Sequence, residues 1–111
     1  MENVIQAYIV RANRQKPRIW IEGARLNGAG FTHGARYNVM ATANILALVL
    51  ADDGSRKVAG AANRPIIDMS GRSCQPFTTG DAVSIIYQQG IITIERAQYS
   101  VQVMDDFCSP E

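Results

Sequence analysis

The chain has 111 residues, of which 47% are hydrophobic and 19% charged, and its formal net charge at pH 7 is +1. This length suits one domain with a real core, and the composition excludes a disordered chain, which would have fewer apolar residues and more net charge. The longest apolar runs, such as Ile45–Ala51, fall well short of the roughly 20 residues that span a bilayer. The acidic start Met1-Glu2-Asn3 also lacks the basic region of a secretory signal. We therefore expect a cytoplasmic protein with no membrane partner.

The positive charge is concentrated in one part of the chain. Residues 11–36 carry six basic residues against Glu22 alone, which is 6 − 1 = +5, and the rest of the chain sums to −4. Such a cluster indicates an anionic partner on that side. A solvated basic edge strand is the alternative, because lysine and arginine on edges also prevent unwanted strand pairing.

An internal repeat organises the sequence. The stretch Pro17–Leu50 matches 63–95 without a gap at a constant offset of 46 residues, by chemical class more than by identity. Phe31-Thr32-His33-Gly34, for example, falls on Phe77-Thr78-Thr79-Gly80. A period of this kind indicates a fold built from two similar units.

Taken in chain order, the pattern predicts strands joined by short turns. Val4–Val10 is rich in branched and aromatic residues and predicts a strand, whereas Arg11–Pro17 breaks the pattern with its proline. Arg18–Glu22 alternates, which places Ile19 and Ile21 on the core face. The charged residues and Trp20 then lie on the opposite face.

Glycines mark the connections of the first copy. Three of them within Gly23–Gly30 leave room for at most one helical turn around Ala24–Asn27. Gly34 is expected to supply the positive φ of a tight turn, with Phe31 plugging the core beneath it. Residues 35–41 and 45–50 then form a hairpin.

The second copy repeats this order after an ordered linker. Residues 51–62 contain the turn signal Asp52-Asp53-Gly54-Ser55 and predict a hairpin linker. The copy itself spans about residues 63–96, in which Ala82–Tyr87 and Ile91–Arg96 flank a turn. Residues 97–104 predict a terminal strand, after which residues 105–111 are expected to fray. About 33 residues of this kind cannot bury a face alone, so we expect the two copies to interleave and close a small barrel within one domain, residues 1–111.

These residues carry a resemblance to a known family. The run R-I-W-I-E-G-x-R-L, then A-G-F-T-x-G-x-R-Y-x-V and a final I-L-A-L-V-L, resembles the swapped-hairpin family of AbrB, SpoVT and MazE-type DNA-binding proteins, and in wording it is nearest to the SymE-like group. The resemblance covers about 80 residues of the chain if both copies are counted. It implies a mostly β, single-chain, pseudo-twofold swapped-hairpin barrel of two tandem repeats. A related six-stranded barrel built from similar half-units is the alternative form of closure.

The resemblance also implies which residues meet DNA. Arg18 and Arg64 stand where the family places a basic contact at the head of the first strand, and Arg25 and Arg72 correspond to its basic residue after that strand. At the offset of 46, Met69 and Gly71 stand where the first copy has Gly23 and Arg25, so the first copy is expected to bind more strongly. The candidate residues for nucleic-acid binding are Arg11, Arg14, Lys16, Arg18, Trp20, Arg25, Arg36, Arg64 and Arg72.

The chemistry of arginine agrees with this expectation, because its planar fork grips a phosphate or reads a guanine edge with two hydrogen bonds. The alternative is that Arg18 and Arg64 pair with Glu22 or Asp68 on the same face. Trp20 is a base-stacking platform or a packing residue at the barrel rim. His33 is expected to be a solvated turn residue.

No pattern in the sequence indicates an enzyme. There is no Gly-x-Ser-x-Gly, phosphate-binding glycine loop, His-Glu-x-x-His or Cys-x-x-Cys. Cys74 and Cys108 have no neighbouring ligand spacing, so we expect free thiols, no metal site and no cofactor. SymE-like proteins are associated with RNA-directed toxicity, but no residue here supports a nuclease.

The sequence thus predicts a protein that binds double-stranded DNA, as a transcriptional regulator or as an antitoxin-like or SymE-like nucleic-acid binder. It would act as a monomeric pseudo-dimer or as a homodimer. Overall neutrality favours an alternative, a small protein-interaction module such as a mobile-element or phage-type inhibitor with a protein partner. A third reading is the recognition domain of a DNA-modifying enzyme.

Overall fold

The structure, a computed structural model, describes residues 4–97 and places most of them in β-strands. The strands are β1 (Val4–Ile9), β2 (Arg11–Asn13), β3 (Lys16–Glu22), β4 (Arg36–Ala41), β5 (Ile45–Leu50), β6 (Arg56–Lys57), β7 (Ala59–Ala61), β8 (Arg64–Ser70), β9 (Ala82–Gln88) and β10 (Ile91–Arg96). A helical turn, α1 (Ala24–Gly28), follows β3, and a 3₁₀ turn (Gly71–Cys74) follows β8. The mostly β prediction with short helical turns is confirmed.

The strands form two antiparallel sheets that share their corners. One sheet has the order β1-β9-β10-β5-β4-β6 and the other the order β2-β3-β8-β7. The chain passes from the first sheet to the second across Val10 and across Val58, and both side chains are 1% exposed. Their backbone N–H groups donate to Asp81 and Ala35 respectively, each at 2.9 Å. Neither sheet closes on itself within residues 4–97; two bent segments join the sheets at opposite edges.

The core fills the space between the two sheets. Alternation places one face of each strand inward, so Ile19 and Ile21 of β3 are buried as expected, together with Ile67 and Met69 of β8. The predicted phenylalanine plugs are confirmed, because Phe31 and Phe77 are 0% and 1% exposed. The turns after them are confirmed as well: φ is 88° at Gly34 and 94° at Gly80.

The two long hairpins have the same register. Met40 pairs with Ala47 in the β4–β5 hairpin, and Ile86 pairs with Thr93 in the β9–β10 hairpin. Each residue of the second pair lies 46 positions after its counterpart in the first pair. The offset of 46 residues found in the sequence therefore relates the two hairpins residue by residue.

The first strands of the two halves correspond at an offset of 48 instead. Gly23 and Gly71 directly follow β3 and β8, both have a positive φ (92° and 62°), and both precede a helical turn. Pro17 and Pro65 are each the second residue of their strand. The prediction that the second half lacks a counterpart of Gly23 was wrong. The segment between the glycine and the phenylalanine is two residues shorter in the second half, and an alignment without gaps cannot show this.

Two predicted connections have another role in the structure. Arg11–Pro17 was expected to break the sheet, but it forms the β2–β3 hairpin, in which Ala12 pairs with Pro17. Proline is tolerated at position 17 because no ladder hydrogen bond is lost there. Its backbone nitrogen faces the β8 side, and the β3–β8 ladder ends one residue later, at the pair Arg18 and Ser70. The linker is ordered, but β6 pairs with β4 and β7 with β8, so it forms no hairpin of its own.

Other predictions lie outside the described residues, namely most of the terminal strand (residues 97–104) and the fraying end. Cys108 lies there as well. Within residues 4–97, no helix is long and apolar enough to cross a membrane.

Candidate nucleic-acid interface

The β2–β3 hairpin, Arg11–Glu22, concentrates positive charge and is called the basic hairpin below. Its charge is four basic residues minus Glu22, or 4 − 1 = +3. Arg14 and Gln15 form its two-residue turn with φ of 55° and 68°. A turn with two positive φ values matches the twist of a hairpin, but it favours Asn-Gly, and each non-glycine residue there costs roughly 1–2 kcal/mol.

Three basic side chains of this hairpin are uncompensated. Arg11, Arg14 and Lys16 are exposed, and none forms an ion pair with a carboxylate of residues 4–97. Arg11 is paired directly opposite Arg18 in the ladder. Opposite residues of an antiparallel pair point to the same face, and like charges there repel each other. This corner of the sheet therefore favours an anion.

Arg18 is held in place by Asp68 on the neighbouring strand β8. Its Nε and Nη2 donate to the two carboxylate oxygens at 2.9 and 3.0 Å. The hydrogen bond to Asp68 raises the pKa of Arg18 above its ordinary value. The guanidinium carbon also lies 4.7 Å from the centre of the Trp20 ring, a cation–π distance. The structure thus contains the ion pair that was the alternative to a DNA contact for Arg18. Asp68 holds the Arg18 side chain in one position and partly neutralises its charge.

The other end of the same face is neutral. Arg64, the first residue of β8, lies 3.5 Å from a carboxylate oxygen of Glu22. That oxygen also accepts a hydrogen bond from Nε1 of Trp20 at 2.6 Å. Both residues of the ion pair are largely exposed, so it contributes little to stability. Trp20 itself is half-buried, with its ring between two ion pairs.

The remaining candidates are spread around this face. Arg25 lies in α1, beyond the end of β3, and Arg72 lies in the 3₁₀ turn beyond the end of β8. Because the two strands are antiparallel, these turns lie at opposite ends of the central pair. Arg36 belongs to the six-stranded sheet, where its Nη1 donates to the carbonyl of Gly54. The structure therefore does not bring Arg36 to the basic face.

The offset of 48 also changes which basic residues correspond. Lys16 and Arg64 both begin their strands, whereas Arg18 corresponds to Ile66. The expectation that Arg18 and Arg64 hold equivalent places was therefore wrong. The basic residues do not form a symmetric pair.

A cleft of about 670 Å³ opens beside the basic face, where β1 separates from β3. It is lined by Gln6, Ala7, Tyr8, Ile9, Arg11, Arg18, Trp20 and Glu22. The hydroxyl of Tyr8 accepts a hydrogen bond from the backbone N–H of Trp20 at 2.9 Å. The β2–β3 ladder ends at Arg18, so this side chain satisfies a backbone group of β3 that β2 does not reach. Sequence reasoning missed Tyr8, since an aromatic residue in a strand gives no sign that its hydroxyl bonds to the backbone of another strand.

The cysteine and histidine chemistry of the described part is limited. Cys74 is buried, its thiol lies 3.3 Å from the carbonyl of Met69, and burial raises its pKa, which disfavours the nucleophilic thiolate. His33 is exposed in its turn. Among residues 4–97, no three His, Cys, Asp or Glu side chains group as metal ligands do.

Comparison with known proteins does not assign the chain to a family. No protein-family model matches the chain, and searches of characterised proteins and of solved structures find no significant similarity. The resemblance to the AbrB-like family stays a prediction from the residues.

Proposed function

We propose that this protein binds double-stranded DNA through the basic hairpin and the adjoining face of the four-stranded sheet. The observation that carries the proposal is the group Arg11, Arg14 and Lys16, which is exposed, clustered and without a carboxylate partner in residues 4–97. Phosphate contacts of this kind supply most of the sequence-independent affinity for DNA.

The backbone of the hairpin tip supports the same proposal. Arg14 and Gln15 are held in a conformation that suits glycine, and strained positions of this kind concentrate at ligand-contacting sites. Asn-Gly would form this type of turn without strain, but the chain has Arg14 and Gln15 there. Arg14 therefore extends the charged group beyond the edge of the sheet.

Arg18 is suited to a second kind of contact. Asp68 fixes two of its nitrogens and Trp20 supports its plane, so little side-chain entropy is lost on binding. A preoriented guanidinium reads a guanine edge or a phosphate better than a free one. In this division of roles, Arg11, Arg14 and Lys16 contact phosphates while Arg18 sets the orientation.

We infer that the two halves derive from one duplicated unit of the swapped-hairpin type, and that each half contains one bend between the sheets, at Val10 and at Val58. The equal hairpin registers and the two glycines at an offset of 48 support this. A regulator or an antitoxin-like protein is the class that the resemblance favours. The charge of the first half predicts that the two halves contribute unequally.

The test is DNA affinity measured against salt concentration. Four or five phosphate contacts predict a slope of about −4 in a plot of log affinity against log salt, at roughly 0.9 per contact. The triple variant Arg11→Gln, Arg14→Gln, Lys16→Gln should reduce the slope by about 3 and weaken binding at least 100-fold at low salt. A wild-type affinity that does not change with salt would refute the proposal.

A matched control removes the same number of charges elsewhere. The variant Arg36→Gln, Arg56→Gln, Lys57→Gln removes three positive charges near the β4–β6 edge, so its net charge equals that of the first triple variant. Its expected loss of affinity is several-fold at most, since only the overall charge changes. Equal losses in both variants would show that net charge, and not the basic hairpin, governs binding.

A protein-interaction module is the second candidate function, and one observation favours it. Three of the exposed large apolar side chains of residues 4–97, Val4, Ile5 and Ile9, belong to the edge strand β1. A protein partner retained after nuclease treatment, together with no measurable DNA affinity, would select this function.

A further inference from the structure

The edge strand β1 is unusually apolar for its position. It pairs with β9 on one side and carries no charged residue and no proline. Val4, Ile5 and Ile9 expose 49%, 60% and 56% of their surface. A long, uncharged edge of this kind is a template for pairing with another strand.

The opposite edge of the same sheet is protected. Its edge strand β6 has two residues, Arg56 and Lys57, both basic. Short strands and basic side chains are the usual protection of sheet edges. Within residues 4–97, one edge of the six-stranded sheet is thus blocked, and no strand pairs with the outer edge of β1.

The hydrogen-bond pattern identifies which groups of β1 are free. The N–H of Val10 donates to Asp81, and the carbonyl of Val10 accepts from Gly80, so Val10 points towards the β9 side. Directions alternate along a strand, and the register with β9 is unbroken from Val4 to Ile9. The even-numbered residues therefore face β9. The backbone groups of Ile5, Ala7 and Ile9 face away from it.

We propose that a second copy of this chain pairs with β1, strand to strand and antiparallel, about a two-fold axis at Ala7. In this register Ile5 lies opposite Ile9 of the second copy, Ala7 lies opposite its own copy, and Ile9 lies opposite Ile5. All three residues with free backbone groups then form hydrogen-bonded pairs. The proposal does not depend on DNA binding.

The side chains suit this register. Opposite residues of an antiparallel pair share a face, so each Ile5 contacts an Ile9 on the outer face, and the two alanines lie between the two isoleucine pairs. Branched apolar pairs of this kind stabilise sheets by roughly 0.2–1 kcal/mol each. A register shifted by two residues in either direction would place one isoleucine opposite Ala7 and leave the other without an apolar partner in β1, so the symmetric arrangement about Ala7 uses the edge most fully.

The test compares molecular masses of the full-length chain by light scattering over a concentration series. The wild-type mass should approach twice the monomer mass of 12.1 kDa. Ala7→Pro should keep the mass at 12.1 kDa, because the N–H of Ala7 faces away from β9 and serves no ladder bond within residues 4–97, while the ring of proline blocks the edge. Met40→Lys is the control, since Met40 is equally exposed (59%) but lies on β4. It should remain dimeric.

Amide hydrogen exchange tests the register itself. The amides of Ile5, Ala7 and Ile9 should become protected as concentration rises, whereas those of Gln6 and Tyr8 should be protected throughout. Thermal melting checks that Ala7→Pro is folded. If it is not, the pair Ile5→Lys, Ile9→Lys should give the monomer in its place.

Three outcomes would overturn the proposal. The first is a wild-type chain that stays monomeric at every concentration. A dimer that survives both Ala7→Pro and the lysine pair would mean that another surface is used. If Val101→Lys with Val103→Lys converts a monomer into a dimer, the chain's own C-terminal segment covers β1.

Discussion

The basic hairpin and the hairpin of β7 and β8, Ala59–Ser70, occupy equivalent places in the small sheet but differ in charge. Both have a two-residue turn, a proline as the second residue of the long strand, and inward-facing apolar residues after it. The first has a charge of +3, whereas the second has 1 − 1 = 0, from Arg64 and Asp68. We call the second the alanine hairpin, because Ala59 and Ala62 stand where the basic hairpin has Arg11 and Arg14.

The difference shows which positions the fold constrains. Inward residues of both hairpins pack in one core, so any change there costs both halves. Outward residues and turns meet solvent, and they are free to differ. The backbones also differ where the hairpins meet solvent. The basic hairpin has positive φ angles at its turn, Arg14 and Gln15, whereas the alanine hairpin has a positive φ of 88° at Gly60, before its turn.

The largest expected effect comes from Gly60→Ala. A Cβ at this position would clash with the carbonyl oxygen of Arg64, and the positive φ adds strain. We expect a loss of more than about 2 kcal/mol in the free energy of unfolding, measured by urea denaturation. Ala12→Gly, at the corresponding place of the basic hairpin, should cost about 1 kcal/mol or less. Equal losses would mean that the two hairpins share one backbone geometry.

The two phenylalanine turns allow a second comparison, through Asp81. Its Oδ2 accepts from the N–H of Thr78 at 2.9 Å and from Arg96 at 3.1 Å, whereas the corresponding residue of the first half is Ala35. Asp81→Ala should cost about 1 kcal/mol at pH 7, measured by thermal or urea unfolding.

The pH dependence of the stabilisation by Asp81 follows from its pKa and is tested with Asp81→Asn, which removes the charge alone. The hydrogen bond from Thr78 and the charge of Arg96 lower the pKa of Asp81 below its ordinary 3.8. A carboxyl group with a lowered folded-state pKa stabilises above its unfolded pKa and loses this as pH falls through the folded value. The gap between wild type and Asp81→Asn should therefore be constant near neutral pH and close below about pH 4. A gap that persists in acid would show that the ionised carboxylate of Asp81 is not the source of the stabilisation.

The third prediction concerns the charge balance of the basic face. Asp68→Asn removes the negative charge that partly neutralises Arg18 but keeps one side-chain oxygen that can accept a hydrogen bond from it, so DNA affinity should rise about threefold at low salt. Stability should change little, because both partners of the pair are partly exposed and solvent screens their interaction. A lower affinity would show instead that Asp68 is needed to orient Arg18, and the double variant with Arg18→Gln would separate the two roles.

The smallest expected effect tests the strain at the basic tip. Gln15→Gly removes one unfavourable φ but adds backbone freedom to the unfolded chain, so a gain of about 0.5 kcal/mol should remain. Ala62→Gly, in the turn of the alanine hairpin, should be destabilising, since neither Ala62 nor Asn63 has a positive φ. Urea denaturation of both variants under one condition checks the opposite signs.

Much of the local structure could be predicted because it depends on neighbouring residues. Alternation identified β3 and its buried isoleucines, and the two glycines after the phenylalanines marked turns with positive φ. The basic cluster was visible as composition. The ion pair of Arg18 with Asp68 was foreseen only as one alternative, because it joins residues 50 positions apart.

What the sequence by itself determined is the kind of each element and the uneven distribution of charge, since periodicity and composition are properties of short stretches. Only the tertiary structure decided that residues 11–17 form a hairpin, that the linker strands join different sheets, and that β1 is an edge strand in the part of the chain that the structure describes. Strand pairing is a choice between distant partners, and it depends on which arrangement buries the apolar faces and satisfies the backbone together.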